Sequence, residues 1–93
     1  MSVIRIGIVG SGFMGRTHAE ATRRAPGAEL VAIAGGSRAV GLADDYGVTY
    51  EESVEELIRR TDVDAIVIST PHHLHFSQAM DAARNQKHCL VEK

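Results

Sequence analysis

Three glycines, Gly10, Gly12 and Gly15, stand in the spacing GxGxxG directly after an apolar run that ends at Val9. Each has its own task in that pattern: Gly10 permits a tight turn, Gly12 lets a pyrophosphate approach the backbone, and Gly15 lets the following helix pack closely on the strand. The chemistry is anion binding, because free N–H groups at a helix N-terminus face whatever the loop holds. A strand before the loop and a helix after it favour a dinucleotide over a purely structural turn or another ligand of the same loop, such as S-adenosylmethionine. A second cluster, "AGGSR" at residues 34–38, puts Gly35 where an NAD-selective domain usually carries an acidic residue. Ser37 then offers a hydroxyl and Arg38 a permanent charge. With no carboxylate to repel a 2'-phosphate, and a cation at a helix start that opposes the macrodipole unless an anion joins it, NADP is expected to be preferred, with NAD also accommodated.

The other reactive side chains read as less chemical. His72, His73 and His75 have imidazole nitrogens, but adjacent histidines in a loop or first helical turn diverge, and no acidic or thiol partner is fixed beside them, so no metal site is expected. His18, one turn beyond Gly15, reads as a packed or solvated helix residue. Arg16 is either a pyrophosphate contact or a solvated position on the first helix. Cys89, in an apolar strand, reads as core rather than nucleophile.

Short apolar runs alternating with helical patterns at near-constant spacing give the βαβ units that must hold these residues. Strands are expected at Val3–Val9, Leu30–Ala34, Val48–Tyr50, Ala65–Ile68 and His88–Val91. The first helix ends near Arg23 and Arg24. Ala39, Leu42, Ala43 and Tyr46 mark one face of the second, which Gly47 can end with positive φ. Ser53 and Glu56 form a capping box opening the third, with Glu55–Arg59 and Glu56–Arg60 as i,i+4 pairs. Phe76, Ala79, Met80 and Ala83 mark a face of the fourth. Right-handed crossovers then build an α/β, Rossmann-type parallel sheet of order 3-2-1-4-5, with ligands bound beyond the carboxyl ends of its strands, between the first and the fourth.

Composition sets the limits. A chain of 93 residues makes one domain at most. Its 10 basic and 12 acidic residues give a net charge of −2, which provides no field to attract nucleic acid or a membrane surface. One cysteine allows no internal disulfide, and there is neither a membrane-length apolar run nor a signal-peptide pattern. The expectation is a soluble cytoplasmic protein.

With the elements laid out, the chain resembles the N-terminal part of the Gfo/Idh/MocA oxidoreductases over essentially all its length. The resemblance is carried by "GIVGSGFMGRTH", "YGV", "VDAIVISTPHHLH" and "KHCLVEK". It implies a nicotinamide cofactor over the carboxyl edge of the sheet. Phe13 and Met14 in the glycine loop join the expected cofactor contacts, Thr70 and Pro71 shape the loop near ribose and nicotinamide, and His75 completes a TPxxxH pattern. Glu92 and Lys93 match the start of the family's EKP motif, whose lysine lies near the reacting carbon; the expected proline does not follow. There Lys93 would orient a substrate hydroxyl and stabilise its developing negative charge. The resemblance implies a sugar, polyol or related hydroxy/carbonyl substrate and is compatible with a homo-oligomer. It makes residues 1–93 an incomplete NAD(P)-binding domain, inactive without a substrate domain; the alternatives are a self-standing dinucleotide sensor and a methyltransferase.

Overall fold

A computed structural model describes residues 3–92; Met1, Ser2 and Lys93 lie outside the described residues. Five parallel strands form one sheet in the order β3-β2-β1-β4-β5: β1 (Ile4–Val9), β2 (Ala28–Ala34), β3 (Thr49–Tyr50), β4 (Ala65–Ile68) and β5 (His88–Val91). Four helices connect them: α1 (Phe13–Arg24), α2 (Ala39–Tyr46), α3 (Val54–Ile58) and α4 (His75–Arg84), the last preceded by a 3₁₀ turn at His72–Leu74. The strand order is the one expected from the sequence.

Alternation along the strands divides the core in two. Ile8, Ile33 and Val67 pack with Ala19 of α1 and with Ala39, Leu42 and Ala43 of α2. Val9, Ala32, Ala34, Ile66 and Ile68 pack on the other face with Leu57 and Ile58 of α3 and Ala82 of α4. Helices therefore cover both faces, which is why the central strands read as nearly continuous apolar runs. Gly7 belongs to this packing, since a methyl on it would lie 2.7 Å from Leu57 Cδ2. At the end of α2, Gly47 takes φ 65° and closes the helix as expected. No helix among the described residues is long and apolar enough to cross a membrane.

Several local expectations are corrected. β2 begins at Ala28, two residues early, because Ile4 and Arg5 already pair with Ala28 and Glu29. The Ser53 cap forms, its Oγ accepting from the Glu56 N–H at 3.0 Å, but α3 stops at Ile58 and the i,i+4 pairing of Glu56 with Arg60 does not occur. Arg60 instead binds Glu51 at 2.7 Å and Asp62 at 2.8 Å. On α4 the packed residues are Ala79 and Ala82, while Phe76, Met80 and Ala83 are exposed. Small side chains let this helix lie close to the sheet, and the larger ones turn outward. Cys89 is exposed rather than core because, among the described residues, β5 lies at the sheet edge and pairs with β4 alone; partial desolvation raises its thiol pKa.

Candidate functional site

The site grows from the carboxyl ends of β1, β2, β4 and β5, where the sheet's hydrogen bonding runs on into the loops. Gly10 N–H donates to the Ala34 carbonyl, Ser69 N–H to Val9 and Glu92 N–H to Ile68, each at 2.8 Å. These bonds fix three loops against one another before any ligand is considered.

The three loop glycines divide the work as their spacing implies. Gly10 has φ 114°, and a methyl there would stand 2.7 Å from the Ser69 carbonyl carbon. One on Gly15 would run into the Gly10 carbonyl, 2.8 Å from its carbon and nearer still to its oxygen. Gly12 differs: a methyl on it meets nothing within 4 Å. Gly12 is also the N-cap of α1, no side chain caps that helix, and its first turn carries no acidic residue. The amides of that turn are therefore left for an anion.

A cleft of about 610 Å³ opens over this turn. Gly12, Phe13 and Met14 form one wall, Gly36, Ser37 and Arg38 a second, and Ser69, Thr70 and Pro71 a third. Gly35 and Gly36 take φ 89° and 92°, a conformation that suits glycine. Buried Ser11 ties the first two walls together, because its Oγ accepts the Arg38 N–H at 3.2 Å. Among the described residues no carboxylate pairs with Arg38. The cleft thus offers uncapped amides, a hydroxyl and a guanidinium, a donor set suited to the phosphates of a dinucleotide.

Beyond Met14, Ser69 and Thr70 the cleft continues into a smaller cavity of about 240 Å³, lined also by His72, His75 and Glu92. His75 Nε2 donates to the Thr70 carbonyl at 2.6 Å, which fixes its ring tautomer. The Thr70 hydroxyl donates to the Gln78 side-chain carbonyl, holding the loop from α4. The rings of His72 and His75 lie 5.1 Å apart.

Of the residues expected at the cofactor, the structure places Phe13, Met14, Ser37, Arg38, Thr70 and Pro71 in the cleft, His75 and Glu92 in the cavity beside it, and Gly10, Gly12, Gly15 and Gly35 in the loops that shape them. Lys93 lies outside the described residues. Arg16 does not face the cleft and pairs instead with Asp45 of α2 at 2.8 Å. His18 is neither simply packed nor solvated: its Nε2 donates to the Glu92 carboxylate at 2.7 Å. Nothing in the sequence signals that pair, whose members stand 74 residues apart.

A parallel sheet of order 3-2-1-4-5 with a glycine loop at its switch point and an uncapped helix beyond defines the dinucleotide-binding Rossmann class. Within that class the chain belongs to the Gfo/Idh/MocA oxidoreductase family, NAD-binding Rossmann fold, matched over residues 4–93. It is 41% identical over 93 residues to an inositol 2-dehydrogenase from Rubrobacter xylanophilus, an alignment covering 97% of this chain and 27% of that protein. Among solved structures it is similar to a Synechocystis biliverdin reductase in complex with biliverdin and NADP+, with TM-score 0.91, 34% identity, and coverage of 97% of this chain and 29% of that one. A Lactobacillus casei scyllo-inositol dehydrogenase with NAD(H) and scyllo-inositol also matches, with TM-score 0.91, 29% identity, and coverage of 99% and 28%. The chain spans between a quarter and a third of the length of these proteins.

Proposed function

We propose that residues 1–93 are the dinucleotide-binding part of a longer oxidoreductase that prefers NADP, accepts NAD, and transfers hydride to or from a sugar, polyol or related hydroxy/carbonyl compound. The observation that carries the reading is the open space over Gly12 between the uncapped start of α1 and the unpaired Arg38. Support for the substrate class comes from the 41% identity with an inositol 2-dehydrogenase. Similarity to one protein in complex with NADP+ and another with NAD(H) leaves the preference to the loop after β2.

In this reading the α1 amides and Gly12 take the pyrophosphate, while Ser37 and Arg38 take the adenosine ribose and its 2'-phosphate. Gly35 contributes by carrying no carboxylate where one would repel that phosphate. Phe13 borders the opening, and Pro71 and Thr70 separate the adenosine side from the smaller cavity. His75 holds the Thr70 carbonyl and keeps that boundary in place. When bound, the nicotinamide exchanges hydride with the substrate carbon. Lys93, next in the chain to Glu92, orients the substrate hydroxyl and stabilises negative charge on its oxygen.

The test is a calorimetric titration of NADP and NAD into the chain and its Arg38→Ala variant. Charge-assisted contacts to a phosphate contribute about 1.5–3 kcal/mol, so NADP should bind roughly tenfold to a hundredfold more tightly than NAD, with Arg38→Ala removing most of the difference. Equal affinities in the parent chain would overturn the preference for NADP.

A further inference from the structure

We infer that the Glu92 carboxylate, held from behind by His18, selects the oxidised, cationic form of the nicotinamide over the reduced, neutral form. The inference rests on the functional reading above and deepens it. A dinucleotide has two halves joined at the pyrophosphate. With the pyrophosphate at Gly12 and the adenosine side claimed by Ser37 and Arg38, the other half must cross Met14 and Thr70 into the smaller cavity, because those residues line both spaces. Among the described residues, Glu92 is the one acidic residue lining that cavity. A nicotinamide ring carries a positive charge when oxidised and none when reduced, so a nearby carboxylate acts on one redox state only.

Glu92 is fixed by both its backbone and its side chain. Its N–H donates to the Ile68 carbonyl at 2.8 Å, extending the β4–β5 ladder past the strand end. Its carboxylate accepts from His18 Nε2 at 2.7 Å, and the two side chains keep only 32% and 19% of their exposure, so water screens them incompletely. His18 lies on α1 one turn beyond Met14, outside the cavity lining. It is therefore a positioning residue. Among the described residues, His72 and His75 are the other titratable groups lining the cavity.

The experiment measures the affinities of NADP+, NADPH and 2'-phospho-ADP-ribose, which lacks the nicotinamide, for the chain at about pH 8, and repeats them for Glu92→Gln, His18→Ala and His18→Gln. Glu92→Gln should weaken NADP+ by roughly three- to tenfold while leaving NADPH and the ring-less nucleotide within about twofold. His18→Ala should move the NADP+/NADPH ratio the same way by a smaller factor, and His18→Gln, whose amide can donate to the same carboxylate, should restore it. A loss shared equally by all three nucleotides would reduce the pair to a structural tie and overturn the inference, as would an unchanged ratio in Glu92→Gln. If none of the three nucleotides binds the parent chain, it is the dinucleotide reading itself that fails.

Discussion

Alanine at Gly15 and alanine at Gly12 should have opposite consequences, although the two positions are three residues apart in one loop. In a helix interior, alanine ordinarily gains about 1 kcal/mol over glycine. At Gly15 that gain meets a steric cost, because the new methyl would stand 2.8 Å from the Gly10 carbonyl carbon and closer still to its oxygen. Gly10 cannot retreat, being hydrogen-bonded to Ala34 at 2.8 Å and backed by Ser69. Overpacking against backbone costs up to about 3 kcal/mol, which leaves a net loss of about 2 kcal/mol and a melting temperature lowered by roughly 8–16 °C for a domain of this size. At Gly12 the φ of −77° is open to any residue and the methyl meets no atom within 4 Å. The poorer N-cap and the lower entropy of the unfolded chain are effects of opposite sign, each of about 0.5 kcal/mol, so stability should barely change. On the proposed reading the methyl would instead occupy the pyrophosphate path, and affinity for NADP should fall at least about tenfold, or ~1.4 kcal/mol. Thermal denaturation followed by circular dichroism, paired with calorimetric titration, separates the two variants. A Gly12→Ala protein that keeps the parent affinity, or a Gly15→Ala protein that melts with the parent, would refute this division of labour.

Two further outcomes concern the frame beneath the site. Bidentate pairing with Arg5 lowers the Asp64 carboxyl from its ordinary 3.8 to about 2, so its stabilising contribution is complete above about 3.8 and is lost as pH falls towards 2. Acid titration of the melting temperature should therefore fall less steeply over that window in Asp64→Asn than in the parent, and parallel curves would count against the pair. Lys87 donates from Nζ to the carbonyls of Arg60 and Val63, tying the end of the α3 segment to the start of β5. Lys87→Met should cost about 1–3 kcal/mol by taking the ammonium donor from the Val63 carbonyl and leaving the Arg60 carbonyl only the long 3.4 Å bond from Val63 N–H, read as a lower midpoint in urea with an unchanged slope; an unaltered midpoint would assign the lost bonds to water.

The sheet order was legible because it depends on local, repeated signals: apolar runs about three to seven residues long, a glycine loop, and helical spacing between strands. The face of α4 was not, because "HFSQAMDAARN" satisfies two overlapping stripes and hydrophobicity favours the wrong one. Phe76 and Met80 look like core, yet the small Ala79 and Ala82 are what permit close approach to the sheet. Cys89 misled for a related reason, since an apolar strand at a sheet edge reads the same as one in the middle. In the site, the glycines and the loop after β2 could be read from type and spacing. The Ser11 latch and the His18–Glu92 pair could not, because each joins residues far apart in sequence whose types are ordinary at their positions.

The latch also limits how cofactor preference can evolve. Gly36 adopts φ 92° and any side chain there would strike Ser11 Oγ, while at Gly35 the φ is 89° and Val54 lies 3.3 Å from where a Cβ would sit. An acidic residue at either position, the simplest single step towards NAD selectivity, would enter a left-handed backbone and displace the hydroxyl that binds Arg38 N–H or crowd the side chain behind it. A side chain at Gly35 or Gly36 is therefore coupled to Ser11 and Val54, so that a carboxylate introduced in this loop calls for accompanying changes at the residues it meets.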